Sequence, residues 1–324
     1  MGNKWVIIVL FLSIAFTGAG TSIISTNQDG LTIYEELEAG TDPFHPDSDG
    51  DGIKDGREVK VLRTGPTAKD TDNDGLTDPR ELKIGTDPNV ADTDDDGLED
   101  QRELEVGTDP VDKDTDKDTL QDGWEIKGNT PDGTPLPGAD PLHRNLYVDI
   151  VSLNHERVIT SEFAKEIEDE FANMSVRNPD GEDGIDVYIH GPRQSNVTEQ
   201  ELKEESPPTS EINYNSIDEK MYTRERMGER YDPNGIYRLV VVESSEGRGS
   251  GGYGGDKIAW VSWGSHKPSA QNTFIHELLH TIVWRPFGED CHGVFHSCDG
   301  YLSLKNDFFF SEKTVSYLQE NSYR

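Results

Sequence analysis

The sequence predicts an α+β protein in two parts: a C-terminal domain with an α/β-like mixed sheet, and before it an irregular repeat array. Two observations support this division. Residues 28–126 carry 31 Asp and Glu against 10 Lys and Arg, and these acidic residues recur at a nearly constant period. From about residue 143, segments with the apolar patterns of strands and helices alternate instead. A chain of 324 residues is long enough for two such parts.

The charge of the chain restricts its partners. The formal net charge is -34 and the pI is near 4.4, so the chain is not a general nucleic-acid binder, because attraction to phosphate needs the opposite sign. Residues 28–126 alone carry a net charge of -21, which is 10 positive minus 31 negative side chains. An acidic block of this kind is either disordered or neutralised by cations.

The N-terminus has the pattern of a secretory signal peptide over residues 1–19. Lys4 forms a short basic region, an apolar run extends from Trp5 to Phe16, and small residues follow at 17–19. The run is too short for a confident membrane span. We therefore expect a secreted, extracellular protein that can associate with the cell surface, with membrane contact only if the signal remains uncleaved.

The acidic block contains four copies of a calcium-loop pattern. In the first, Asp47 is at position 1, and acids recur at positions 3, 5, 9 and 12, with Gly52 at position 6. A hard cation needs several carboxylate oxygens, a Gly for the sharp turn, and a closing Glu that can bind through both oxygens. The predicted calcium ligands are Asp47, Asp49, Asp51, Asp55, Glu58, Asp70, Asp72, Asp74, Asp78, Glu81, Asp92, Asp94, Asp96, Asp100, Glu103, Asp114, Asp116, Asp118, Asp122 and Glu125.

The copies differ in how well they keep the pattern. The fourth has Thr119 where the others have Gly, and a weaker copy begins at Ser25 and has Ile33 at position 9. First positions are spaced by 22, 23, 22 and 22 residues, and Gly-Thr-Asp-Pro recurs from Gly40, Gly85 and Gly107. A period this short cannot hold the two flanking helices of an EF-hand.

This array resembles the thrombospondin type 3 repeats and their prokaryotic relatives over residues 25–126. The resemblance implies short repeats wrapped around calcium ions with little apolar core, in which one loop and the following Gly-Thr-Asp-Pro turn share ions. We expect the array to be largely disordered without calcium, because ion binding then supplies the folding energy. A solvated acidic spacer is the alternative, but it does not explain Gly and Glu at fixed positions in successive copies.

A linker over residues 127–142, rich in Gly, Pro and Asp, is predicted to separate the array from a domain over residues 143–324. The alternation of strands and helices in that domain favours a mainly parallel sheet. A flexible Gly-rich loop is expected over residues 247–255, and the strand after it, Ile258–Trp263, is predicted to be an edge that binds an extended substrate. The predicted strands are 145–151, 185–189, 237–242 and 258–263, and the predicted helices are 160–173 and 217–230.

The segment His276-Glu277-Leu278-Leu279-His280 is the strongest catalytic pattern in the chain. Two imidazoles four residues apart lie one above the other on a helix face, so both can bind a single zinc ion. The Glu beside the first His can take a proton from a metal-bound water, which is the pattern of a hydrolase. Apolar residues on both sides of the pattern predict a mostly buried helix.

This order, with a strand leading into an HExxH helix, resembles the metzincin-type zinc peptidases over roughly residues 143–300. The resemblance implies a zinc metalloendopeptidase that hydrolyses peptide bonds in protein or peptide substrates. The chain departs from the family pattern in two respects. Val283 and Pro286 stand where the family has a Gly and a third His, and no Met follows Met227 to form the Met-turn.

The third zinc ligand must therefore come from the segment after Pro286, since catalytic zinc generally has three protein ligands. His296 is favoured over His292, and both lie between Cys291 and Cys298, which are predicted to form a disulfide in a secreted protein. A structural site in which these cysteines bind metal is the competing interpretation. The carboxylate alternatives for the third ligand are Glu289 and Asp299.

Two functions follow from these patterns. In the first, Glu277 is the catalytic base of a secreted zinc peptidase whose cofactors are Zn2+ and Ca2+. In the second, the chain is a non-enzymatic calcium-binding adhesion or surface-layer protein with a degenerate peptidase-like domain. Retention of Glu277 and of further histidines favours the first, because a binding module has no need of them.

Overall fold

The computed structural model describes residues 27–152, 160–194, 238–244, 251–255, 258–263, 274–275, 278–279, 281–282 and 312–323. The chain divides into two compact units between Val106 and Gly107. This division lies inside the repeat array, before the predicted linker at 127–142, so the fourth acidic loop belongs to the second unit. The predicted residues outside the described ones are the signal peptide 1–19, Ser25, the helix 217–230, His276, Glu277, His280, Glu289, Cys291, His292, His296, Cys298 and Asp299.

Each acidic loop leads into one short helix. A positive φ ends several of these helices, at Gly40 (82°), Arg63 (67°) and Gly85 (103°), a conformation that Gly adopts without strain. One loop, one short helix and one turn fill the period of the repeat. The helices are α1 (Ile33–Ala39), α2 (Asp55–Arg57, continued by a π-helix at Glu58–Leu62), α3 (Asp78–Ile84), α4 (Asp100–Val106) and, in the second unit, α5 (Asp122–Lys127).

The first unit has little apolar core, as the resemblance implied. Each repeat buries one aliphatic side chain at position 7 of its loop: Leu31, Ile53, Leu76 and Leu98. Other apolar side chains, such as Tyr34 and Val61, are exposed. Such limited burial cannot offset the conformational entropy of an ordered chain, so most of the stabilisation must come from the acidic loops.

The second unit contains a five-stranded sheet in the order β2-β1-β3-β5-β4. The pairs β1–β2, β1–β3 and β3–β5 are parallel, which confirms the predicted mainly parallel sheet. The strands are β1 (Asn145–Ser152), β2 (Asp186–Gln194), β3 (Arg238–Ser244), β4 (Gly251–Gly255) and β5 (Ile258–Trp263).

The Gly-rich segment corrects two expectations. Residues 251–255 form strand β4, antiparallel to β5, rather than a flexible loop. Strand β5 is therefore paired on both sides, with β3 and β4, and the prediction that Ile258–Trp263 is an edge is wrong. Among the described strands, β4 is the outermost on this side of the sheet.

The core of the second unit is formed by the sheet and three helical segments. Helix α6 (Ser161–Ala172) matches the predicted helix and begins at Thr160, whose hydroxyl accepts a hydrogen bond from the Phe163 amide at 3.2 Å. The apolar residues within and beside the HExxH pattern are helical and fully buried in the same core: Phe274, Ile275, Leu278, Leu279 and Ile282. Helix α7 (Glu312–Glu320) adds Leu318 to this core. Among the described residues, no helix is both long and apolar enough to cross a membrane.

Candidate calcium sites

The aspartates of each loop fold the backbone around themselves. Asp47 accepts hydrogen bonds from the amides of Gly50 at 2.7 Å and Gly52 at 3.0 Å. Asp51 Oδ1 accepts from the Ile53 amide at 2.7 Å. The second oxygens of Asp49 and Asp51 are buried and have no hydrogen-bond partner. The loop thus uses one oxygen of these aspartates to hold its shape and leaves the other for a ligand.

The second loop repeats this geometry. Asp70 accepts from the amides of Asn73 at 2.7 Å and Gly75 at 3.1 Å, and Asp74 Oδ1 accepts from the Leu76 amide at 2.6 Å. Position 6 needs Gly because its φ is about +100°, with values of 109° at Gly52 and 106° at Gly75. The agreement between copies shows that the predicted pattern sets the local backbone.

Position 9 has a role that the sequence pattern did not suggest. Asp78 accepts two hydrogen bonds from Thr71 at position 2, from its amide at 2.8 Å and from its hydroxyl at 2.7 Å. This pair of bonds ties the first residue of α3 to its own loop. The signal in the sequence was a Ser or Thr at position 2 of every complete copy, and the same bonds join Asp55 to Ser48, Asp100 to Thr93 and Asp122 to Thr115.

The carboxylates that come together belong to successive repeats. Ligand atoms of Asp51, Glu58 and Asp78 lie within 4.8 Å of one another, which joins positions 5 and 12 of one loop to position 9 of the next. The same grouping unites Asp74, Glu81 and Asp100 within 4.8 Å, and a further group joins Asp29, Glu36 and Asp55. Positions 1, 3 and 5 of one loop also converge, as in Asp47, Asp49 and Asp51 and again in Asp70, Asp72 and Asp74.

In two repeats a threonine in the turn after the helix holds the closing glutamate: Thr41 in Gly-Thr-Asp-Pro and Thr64 in Arg-Thr-Gly-Pro. The Thr41 hydroxyl donates to Glu36 Oε2 at 2.5 Å, and the Thr64 hydroxyl donates to Glu58 Oε1 at 3.3 Å. Both glutamates are fully buried. The turn therefore fixes the orientation of a carboxylate that belongs to the cluster, which is how the turn and the loop cooperate in one site.

The electrostatics of these clusters favour a cation. Glu81 is fully buried, and within the described part of the chain neither of its carboxylate oxygens has a hydrogen-bond partner. Burial, with repulsion from Asp72 and Asp74, raises the pKa of Glu81 to about 8, and burial with repulsion from Asp49 and Asp51 raises the pKa of Glu58 to about 8. Unpaired buried carboxylates are costly, and a divalent cation relieves both the desolvation and the repulsion. Three or more convergent carboxylates fit the oxygen preference of calcium.

Comparison with known families agrees with this geometry. A model of the bacterial TSP3 repeat matches residues 29–46, 47–61, 70–91 and 92–113. Residues 29–113 carry bacterial TSP3 repeats. Repeats of this family bind calcium and are typical of extracellular proteins. No curated protein and no solved structure matches the chain at a significant level.

The TSP3 match ends at residue 113, so it includes neither the fourth acidic loop nor the sheet-containing part of the chain. The predicted zinc ligands and the predicted base lie outside the described residues. Near these predicted residues, the structure describes five fully buried apolar residues, which we call the apolar helix face: Phe274, Ile275, Leu278, Leu279 and Ile282.

Proposed function

We propose that this chain is a secreted zinc-dependent metalloendopeptidase whose N-terminal TSP3 repeats bind calcium. The observation that supports the enzymatic part is the apolar helix face, which is buried against the sheet core. At 3.6 residues per turn its five positions occupy one side of a helix, and positions 276, 277 and 280 of an uninterrupted helix fall on the other. The HExxH residues would then project away from the core, where a metal and a substrate can reach them.

Each residue of the pattern has a separate role in this proposal. His276 and His280 hold the zinc with His296, or with His292 as the alternative third ligand. Zinc, when bound, polarises the scissile carbonyl and acidifies the attacking water. Glu277 takes the proton from that water and later passes it to the leaving amine.

Strand β4 offers a place for the substrate. It is the outermost strand beside β5, and its sequence Gly-Gly-Tyr-Gly-Gly carries one side chain in five residues. An extended peptide can add to such an edge through main-chain hydrogen bonds with little steric hindrance. We assign the predicted substrate-binding edge to β4 in place of β5.

The calcium-binding repeats act as an extracellular stabiliser or stalk of the peptidase. In this proposal calcium stabilises the folded repeats, because the carboxylate clusters that bind it join one repeat to the next. The alternative function, a calcium-binding adhesion or surface-layer protein with a degenerate peptidase-like domain, is supported by Val283 and Pro286, which replace residues of the metzincin pattern.

The two functions are separated by one comparison on the full chain. Zinc content and casein hydrolysis are measured for the wild type and for Glu277→Gln. One zinc per chain in both proteins, with hydrolysis only in the wild type, is the expected result, since the amide cannot take a proton from water. A wild-type chain that binds no zinc would exclude the peptidase and leave the adhesion protein.

A further inference from the structure

The fourth acidic loop, residues 114–125, is built into the sheet-containing unit. Asp118 Oδ2 accepts a hydrogen bond at 2.7 Å from the amide of Asn145, the first residue of β1. The Lys117 carbonyl accepts from the Tyr323 amide at 3.0 Å, which attaches the C-terminal residues to the same loop. Below the loop, Leu120 forms a small buried cluster with Leu136 and Tyr147. The loop thus holds both the start of the central strand and the residues that follow α7.

The carboxylates of this loop are deeply buried. Asp116, Asp118 and Glu125 are 1%, 2% and 3% exposed. Both carboxylate oxygens of Asp118 accept hydrogen bonds from backbone amides, those of Leu120 and Asn145. Among the residues that the structure describes, Asp116 Oδ2 and both oxygens of Glu125 have no hydrogen-bond partner. Burial together with repulsion among these carboxylates raises the pKa of Asp116 to about 10 and that of Glu125 to about 12.

Arg144 occupies the place that an aspartate holds in the preceding repeats. In the second loop, Asp74 Oδ2 accepts from the Gln101 amide at 3.1 Å, and the residue before Gln101 is the cluster ligand Asp100. In the fourth loop, Asp118 makes the equivalent bond to Asn145, and the residue before it is Arg144. The series of shared sites therefore ends at an arginine.

The guanidinium of Arg144 does not satisfy the buried carboxylates. Its hydrogen bonds go to the main-chain carbonyls of Asp116 and Leu318, and it is 2% exposed. The single positive charge of Arg144 also cannot neutralise four carboxylates, those of Asp114, Asp116, Asp118 and Glu125. A divalent cation bound by oxygen atoms matches both the excess charge and the oxygens without partners.

We propose that Asp114, Asp116, Asp118 and Glu125 bind one calcium ion that is a structural part of the sheet-containing unit. This ion fixes the loop that anchors β1 and the C-terminal residues, so the sheet depends on calcium through a site separate from those of the first unit. The inference rests on the proposed calcium binding by acidic loops of this pattern. It does not depend on the zinc site or on peptidase activity.

Occupancy of the site is tested with terbium, an emissive substitute for calcium, on the full-length chain. Trp124 is adjacent to Glu125 on α5 and can sensitise terbium bound there. We expect sensitised emission to fall at least twofold in Glu125→Gln and in Trp124→Phe. The matched control is Glu105→Gln, an exposed glutamate that pairs with Arg102 on the surface, and it should retain the emission. Equal emission from wild type and Glu125→Gln would overturn the site.

The structural role is tested by hydrogen exchange of the full-length chain with and without calcium. We expect peptides from residues 145–152 and 317–323 to exchange at least tenfold faster after chelation. In calcium, Glu125→Gln should show the same fast exchange, and the surface variant Glu105→Gln should remain protected in these peptides.

Two outcomes contradict the structural role. One is equal protection of residues 145–152 in the wild type with and without calcium, a comparison that needs no variant and so remains valid if Glu125→Gln fails to fold. The other is normal protection in Glu125→Gln. If the repeats of the first unit bind no calcium, Glu81→Gln will leave calcium affinity in a calorimetric titration unchanged, a result that counts against the proposed repeats and not against this site.

Discussion

At the scale of single residues, burial has its strongest effect on the closing glutamates at position 12 of the acidic loops. Glu81 has no hydrogen-bond partner at either oxygen and converges with Asp74 and Asp100. We expect Glu81→Gln to lower calcium affinity at this cluster about tenfold or more, because the amide keeps the volume but loses a charged oxygen. Calorimetric titration of the full chain measures this change.

The control for this prediction is Glu105→Gln. Glu105 pairs with Arg102 at 2.9 Å on the surface, where its side chain is 53% exposed. Removing that charge should leave calcium affinity within about twofold, because exposed ion pairs contribute little. An equal loss of affinity in both variants would indicate a general charge effect and contradict the assigned role of Glu81.

Thr119 has a backbone conformation that the other copies of the acidic loop adopt at a Gly. Its φ is 78°, in the left-handed region that a β-branched residue rarely adopts. We expect Thr119→Gly to raise the free energy of unfolding by about 1 kcal/mol in saturating calcium, because the strain is relieved. Urea denaturation measures the change.

The reciprocal substitution is Gly52→Thr. A Cβ at Gly52 would meet nothing within 4 Å, so its cost is confined to the backbone φ of 109°. This variant should lose about 1 kcal/mol. If both substitutions are neutral, positive φ is not the reason for Gly at position 6.

At the scale of elements, each repeat is held together by the bonds between positions 2 and 9. The Thr71 hydroxyl donates to Asp78 and accepts from the Gly65 amide at 2.8 Å, so it joins the loop, the helix α3 and the preceding turn. We expect Thr71→Val to destabilise the first unit by about 1–2 kcal/mol, since two hydrogen bonds are lost at similar volume. Thermal unfolding in calcium measures this loss.

The same substitution should also weaken a calcium site in the preceding repeat. Asp78 belongs to the cluster of Asp51 and Glu58, and a less firmly held Asp78 is a poorer ligand. Thr77→Val is the control, because Thr77 is exposed and its side chain makes no capping hydrogen bond to α3. Similar losses in the two variants would contradict the argument.

At the scale of the whole molecule, calcium should decide whether the first unit is folded. One buried aliphatic side chain per repeat leaves the unit without enough apolar burial to fold alone. We expect chelation to expose the backbone amides of residues 47–106 to exchange and to make them sensitive to protease, with recovery when calcium is restored. Protection that persists after exhaustive chelation would show that the unit does not need the ion.

Much of the local structure was predictable because it is encoded by spacing. The period of 22 or 23 residues, the Gly at position 6 and the acids at fixed positions set the loops, and alternating apolar patterns set the strands β1, β2, β3 and β5. These features depend on the φ of one residue or on the burial of one face, and both leave a periodic signal in the sequence.

Only the tertiary structure decided which groups meet. Asp78 lies with Asp51 and Glu58 of the previous repeat because successive repeats stack. The spacing of residues within one loop does not predict this contact. The sequence did not predict strand β4, because four of its five residues are Gly and no alternation of apolar and polar side chains can be detected. The sequence by itself determined the loops and most of the strands, whereas the short helix after each loop was not predicted. The sharing of carboxylates between repeats, the place of β4 beside β5 and the anchoring of β1 by Asp118 are contacts between distant residues, and they arise only when the chain is folded.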